Sequence, residues 1–247
     1  MLKIKSKNKL NLITLGLLLS SYLNTSFAEL NSNTAWVIQA GGFTATQGKA
    51  QHVDINNLIG DDFSVSNSHA QNFLLGLGYY FKGLSFNKIN LLYGLNAFYF
   101  APTKVKGEIT QEGLFTNLSY QYDLANYPIY LAGKALIQPG QNSSYNWSFN
   151  LGLGPNFIKT NSFSESSLDN GQTEPDNIFT GKTTVTLSAM AGFGLRINHA
   201  IAQLPIEIDY RFFYLGQGEL KSNNSEVNNN LYTGHNYASA LLISLCF

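Results

Sequence analysis

The chain has 247 residues, of which 12% are charged, with 15 basic and 15 acidic side chains in balance, while 44% are hydrophobic and 13% aromatic. Charge at about half the level of a soluble protein, no basic excess and a single cysteine together exclude a nucleic-acid binder with a basic face and a disulfide-stapled secreted domain. Beyond residue 28 no apolar run approaches the ~20 residues of a helical membrane span.

Lys3, Lys5, Lys7 and Lys9 open the chain, followed by an apolar run over 10–23 and then Ser26-Phe27-Ala28. A basic start, an apolar middle shorter than a membrane span and small residues before the cut predict a secretory signal peptide over 1–28, cleaved after Ala28. Its loss removes four basic residues and no acidic one, leaving residues 29–247 as one mildly acidic domain of about −4.

In the stretch 35–43, Trp36, Ile38 and Ala40 alternate with Val37, Gln39 and Gly41, the period of two that marks a strand. Residues 44–70 are turn-rich, with 50–55 as a further short strand candidate. In 72–82, Phe73, Leu75, Leu77, Tyr79 and Phe81 share one face. A short link around 83–87 leads into 88–100, where Leu91, Tyr93, Leu95 and Tyr99 oppose Asn90, Gly94, Asn96 and Phe98. After the Ala101-Pro102 break come strands at 114–122 and 129–137, with a turn expected at 123–126. The clearest alternation follows in 145–157: Tyr145, Trp147, Phe149, Leu151 and Leu153 interleave with Asn146, Ser148, Asn150, Gly152 and Gly154. Residues 159–181 read as a long mobile loop, and 217–235 as a second long polar loop. Between and after these lie strands at 183–198, 206–215 and 236–247.

The two faces of these strands decide the fold class. A soluble sandwich presents Lys, Glu and Arg on its outward face, whereas the polar face here is Gly, Asn, Ser and Ala, suited to a barrel lumen. The other face is bulky and apolar, with aromatics such as Tyr79, Phe81, Tyr99, Tyr120 and Tyr122 near strand ends, as an interfacial girdle requires. The fold expected is all-β, a single antiparallel transmembrane up-and-down β-barrel. Nine clear strands are counted; an even number is required when both ends lie on one side, so ten strands are favoured, with 50–55 as the tenth and eight as the alternative.

The last strand, NYASALLISLCF, places Leu241, Ile243, Leu245 and Phe247 on one face and ends on the aromatic. It resembles the closing strand of Gram-negative outer-membrane β-barrels, whose assembly machinery recognises a terminal aromatic preceded by alternating apolar residues; the second aromatic that many members carry stands here as Leu245. Over most of 29–247 the chain is similar to small outer-membrane barrels of the outer membrane protein A, X and W kind. That resemblance implies a location in the cell outer membrane, reached through the periplasm. Lipid and the barrel assembly machinery would be its partners, and a monomer is expected.

Catalytic, cofactor and metal sets are not evident. His52, His69, His199 and His235 are scattered without metal-ligand spacing, and Cys246 faces inward. Ten-stranded outer-membrane proteases would require acidic pairs and an Asp-x-His on the rim; here Asp61-Asp62 is adjacent, reading as a solvated turn, and His235 follows Thr233-Gly234. No enzyme activity and no cofactor are expected. The lumen is more informative. Ile206, Ile208, Tyr210, Phe212 and Tyr214 face lipid, so Glu207, Asp209 and Arg211 face in. Counting across a turn near Ile201 sets Glu207 opposite Arg196, and Asp209 and Arg211 opposite Gly194 and Gly192; Lys134 points the same way. These five charges are expected to form a network that largely plugs the lumen, since an unpaired buried charge costs several kcal/mol. The function expected is a structural or surface-interaction role, with an extracellular ligand held by the loops 159–181 and 217–235; the alternatives are a narrow porin-like conduit for small solutes and a surface adhesin.

Overall fold

Eight long antiparallel strands close into a ring in the computed structural model, which describes residues 33–140, 143–201 and 204–247. The signal peptide expected over 1–28 lies outside the described residues. In chain order the strands are β1 (Thr34–Thr46), β2 (Gln51–Val53), β3 (Asp61–Phe63), β4 (His69–Phe86), β5 (Ile89–Gln111), β6 (Phe115–Ile137), β7 (Tyr145–Ser167), β8 (Phe179–Thr180), β9 (Thr183–Ile201), β10 (Leu204–Ser222) and β11 (Leu231–Cys246). The ring runs β1-β4-β5-β6-β7-β9-β10-β11 and returns to β1, where Val37 lies opposite Cys246 and Thr46 opposite Tyr237. Trp36 and Phe247 exchange both backbone hydrogen bonds, at 2.7 and 2.9 Å, just below that seam. Full closure leaves the ring without a free edge.

The ring therefore holds eight spanning strands, the alternative count, rather than ten. Residues 50–55 do not cross: their strand portion is β2, three residues long, which pairs with β3, and β3 adds to the upper end of β5. The expected turn at 123–126 is absent, because β6 runs unbroken from Phe115 to Ile137 and merges two of the nine strands counted. Asn126 stays inside a strand by turning its side chain into the lumen, where Asn156 Nδ2 donates to it at 2.8 Å. The Ala101-Pro102 break is likewise only a bulge, between Phe100 and Thr103, within the 23-residue β5.

The distribution of side chains is inverted relative to a soluble protein. Large apolar groups cover the outside, with Leu131 74% and Leu151 66% exposed, while Glu207, Asp209 and Arg211 are fully buried. Aromatic side chains rim the band at both ends: Trp36 packs on Tyr79 and Phe81 on Tyr93 at the end holding Phe247, and Tyr99 lies against Tyr127 and Tyr214 against Tyr237 at the other. Such a band flanked by aromatic girdles is what a bilayer requires of a barrel.

Strands of 19 to 23 residues exceed the ~9–11 needed to cross. The surplus lies beyond the upper girdle, where bulges follow Phe100 on β5 and Tyr214 on β10. At the second of these the backbone of Gly216 takes φ +80°, a conformation that a side chain would strain. Above the bulges the strands, joined by β2, β3 and β8, enclose a second core of Val53, Phe63, Ile109, Tyr120, Ile158 and Phe179 among others. Tyr120 and Tyr122, expected in the lipid-facing girdle, are buried in this cap instead, because β6 continues past the membrane and its inward face there lines the cap.

Candidate functional site

Reading β10 upward gives the contents of the lumen in order: Glu207, Asp209 and Arg211, then Phe213 and Leu215, all buried. The lower three are charged and face neighbours that make room for them. Glu207 is opposite Arg196, Asp209 opposite Gly194 and Arg211 opposite Gly192. A side chain at Gly192 would run into Arg211, and one at Gly194 into Asp209.

Lys134, from β6, forms an ion pair with Glu207 Oε2, while Arg196 Nη1 lies 3.5 Å from Oε1 without hydrogen-bond geometry. Arg211 Nη2 donates to Asp209 Oδ2 at 3.0 Å; Ser148 Oγ and Asn150 Nδ2 donate to Oδ1 at 2.8 and 3.2 Å. The structure thus brings Lys134, Arg196, Glu207, Asp209 and Arg211 into one layer. Polar residues that sequence reasoning missed extend it. Lys134 Nζ stands 5.1 Å above the Tyr80 ring, Asn96 Nδ2 donates to Tyr80 Oη at 3.0 Å, and Gln39 Nε2 donates to Asn96 at 2.7 Å.

Over the charges sits a layer of rings that the sequence reading also missed. Phe213 lies 5.3 Å from Phe98 and 5.0 Å from Phe100, and Phe100 lies 5.0 Å from Phe43, each in edge-on contact. Arg211 joins the two layers, its guanidinium carbon 5.7 Å from the Phe98 centroid. The signal was present: Phe98 shares the parity of Asn90 and Asn96, and Phe213 that of Arg211.

Leu241 and Ile243 project from the outer face of β11, and Leu245 and Phe247 are half-buried at its lower end. Of the two expected loops, 159–181 and 217–235, about half is strand, and the connections proper shrink to 168–178 and 223–230. β7 continues to Ser167 and β8 pairs with the top of β10, Lys221 opposite Thr180. Between them Asp169 accepts from Ser167 Oγ, Thr173 N and Thr173 Oγ1 at 2.5 to 3.0 Å, and these bonds lower its carboxyl to about 2. Glu165 accepts from the backbone N–H groups of Asp176, Asn177 and Ile178, which holds the approach to β8. Asp61-Asp62, read as a solvated turn, is β3: Asp61 is buried, and Asp62 pairs with His52 at 2.8 Å. The other ring nitrogen of His52 faces Ile59 O at 3.0 Å. With acceptors at both nitrogens, both N–H groups of the cationic ring are engaged. Among the described residues no group of three or more His, Cys, Asp or Glu is placed to hold a metal ion.

No protein-family model matches the chain, and no curated protein is significantly similar to it. Solved structures do share its fold. The outer membrane protein OprG from Pseudomonas aeruginosa matches 87% of this chain and 96% of its own, at 13% identity and a TM-score of 0.53. The outer membrane protease OmpT from Escherichia coli matches 90% and 99%, at 8% identity and a TM-score of 0.50. At these identities the likeness is one of fold: a small Gram-negative outer-membrane β-barrel. Combined with the apolar band and its girdles, that fold places the chain in the cell outer membrane.

Proposed function

We propose that this barrel is a non-conducting scaffold that presents its cap at the cell surface, a surface-interaction role. The observation that carries the reading is the filling of the lumen at two successive levels, ion-paired charges below and packed aromatic rings above. A barrel of eight strands has an interior only wide enough for side chains. Both ends of the described barrel lie at one rim, and the three longest connections, 47–68, 168–182 and 223–230, fall at the other, where a barrel of this kind meets the outside. There the chain forms a packed cap, a shaped surface on which a binding function can be carried. Purified, refolded protein in planar bilayers tests the proposal: small or rare conductance events are expected, and large steady openings would overturn it.

One observation favours a second reading, a narrow conduit. Arg211 Nε and Nη1, Gln39 Oε1, Asn150 Oδ1 and Ser244 Oγ are buried without a hydrogen-bond partner among the described residues, and groups of this kind are ordinarily hydrated. The same recording separates the two, since a hydrated file through the lumen would carry a steady small current.

A further inference from the structure

The far end of the cap exposes large apolar side chains where lipid does not explain them. Leu58 is 59% exposed, Ile59 66%, Leu114 72% and Phe115 65%. Leu114 and Phe115 follow Gln111 at the top of β5, twelve residues above the girdle residue Tyr99. At ~3.3 Å per residue this is roughly 40 Å of strand, too far for the bilayer that the barrel crosses to reach. Exposed apolar groups gathered in water mark interaction sites. Here they flank a pocket of about 300 Å³, which Leu58 and Phe115 line together with floor residues such as Ile109, Leu118 and Ile178.

Five carboxylates line the same pocket: Asp61, Glu112, Glu165, Asp176 and Glu226; no Lys, Arg or His is among its lining residues. Three of the five are committed locally. Glu165 binds the backbone at 176–178, Asp61 accepts from Glu112 N at 3.3 Å, and Glu112 accepts from Ile59 N at 3.0 Å. Asp176 and Glu226 carry no side-chain hydrogen bond or ion pair among the described residues. Burial raises the carboxyl pKa of both Asp61 and Glu165 against the backbone hydrogen bonds that lower it, and a neighbouring carboxylate adds a smaller push upward, Glu112 for Asp61 and Asp176 for Glu165.

We infer that this end of the cap docks a cationic amphipathic peptide segment, which places an apolar side chain on the pocket floor and basic side chains against Asp176 and Glu226. The inference rests on the surface-interaction role and gives it a partner class. A hydrated metal ion does not suit an apolar floor, and phosphate-bearing lipid or polysaccharide has the wrong sign. A second copy docking by the same face would set like charges together. The volume is at the lower edge of ligand pockets, ~300 Å³, enough for a side chain or two.

The test uses the full chain in nanodiscs of zwitterionic lipid, with a fluorescein-labelled ten-residue peptide of alternating Lys and Leu. Anisotropy is read against empty nanodiscs. Binding is expected to the protein-bearing discs, to weaken at least tenfold in Asp176→Asn/Glu226→Gln and in Leu58→Ser/Phe115→Ser, and to fall with added salt. It should be unchanged in Glu108→Gln, outside the pocket. Heat-modifiable gel migration verifies that each variant is folded; the side chains of Asp176 and Glu226 have no hydrogen bond or ion pair to lose among the described residues, so that pair tests the inference without disturbing the cap. Equal binding by a peptide with Glu in place of Lys, wild-type affinity in both pocket variants, binding no greater than to empty discs, or self-association of the cap instead would each overturn it. Conductance on the same preparation separates the failures: no peptide binding with a silent lumen refutes the docking site alone, and steady current refutes the scaffold reading whatever the peptide does.

Discussion

Lys134 from β6 and Arg196 from the adjacent β9 both reach Glu207, so that one buried carboxylate joins β6, β9 and β10. Lys134 hydrogen-bonds to it, whereas the Arg196 guanidinium stands 3.5 Å away without hydrogen-bond geometry. Lys134→Met would therefore leave Glu207 buried with a distant guanidinium, a loss of about 3–5 kcal/mol if it behaves as a broken buried pair. Lys134→Met/Glu207→Leu removes the orphaned charge with its partner and should recover most of that. Urea unfolding of the refolded protein in detergent checks both. A double variant no more stable than the single one would show that the layer is held by something other than this pair.

The two-layer lumen predicts an ordered response of conductance to substitution. Glu207→Ala/Arg196→Ala empties part of the charged layer but leaves Phe98, Phe100 and Phe213 in contact above it. Openings should lengthen modestly. Adding Phe98→Ala and Phe213→Ala removes the rings as well and should produce steady current. If the charge substitutions alone gave the full current, the aromatic layer would not be a barrier.

How much of this could be read from the chain depends on whether the information was local. The β9–β10 register was legible, because the hairpin is short and Gly192 and Gly194 fall two apart against Asp209 and Arg211. The alternation in β7 gave both its lipid face and its lumen face. By contrast, nothing near Asp123 reveals that β6 continues, since the residue that satisfies Asn126 is Asn156, on the next strand. Pro102 misled for a similar reason: a bulge accommodates it, and its carbonyl accepts from Asn72 on β4 at 2.7 Å. The cap was missed because its polar composition resembles a loop, while its core residues, Phe63, Tyr120, Ile158 and Phe179, come from four separate strands. Charge pairing across a hairpin can be counted; assembly from distant strands cannot.

The ordered cap predicts resistance to protease where a mobile loop would be cut. Lys221 is paired with Thr180, and Lys182 forms an ion pair with Glu219, which Asn230 also holds at 2.8 Å. Trypsin added to intact cells should cut slowly at both lysines. Glu219→Gln loosens this corner and should speed cleavage at Lys182. Rapid wild-type cleavage at both sites would show that the β8–β10 pairing does not persist in solution.

His52 provides a pH dependence. Its side-chain bond to Asp62 raises its pKa above 6.5, as does its contact with Ile59 O. Two acceptors need two N–H groups, so the cationic ring serves both and the neutral ring only one. With the folded pKa raised, the stabilisation is fully present below pH 6.5 and is lost as pH rises through the folded value. Residues 54–60 should therefore exchange amide protons faster above that value, after correction for intrinsic rates, and His52→Ala should abolish the difference. Exchange that stays constant across this range in the wild type would refute the clamp.

The terminal aromatic allows assembly to be separated from stability. Phe247 contributes two backbone hydrogen bonds to Trp36 at the seam, and its side chain is half-buried. Replacement by Lys keeps the backbone bonds, and a charge near the interface costs only about 0–1 kcal/mol. Once refolded in detergent, Phe247→Lys should therefore unfold at nearly the wild-type urea concentration and retain heat-modifiable migration, because the ring still has no edge. In cells its yield in the outer membrane should fall sharply if assembly machinery reads the terminal residue, which is the role proposed for Leu241, Ile243, Leu245 and Phe247. Deletion of Phe247 removes both bonds and should reduce yield and stability together. Wild-type yield of Phe247→Lys would sink the assembly role, and a large loss of its stability in detergent would mean that the side chain matters to the fold itself.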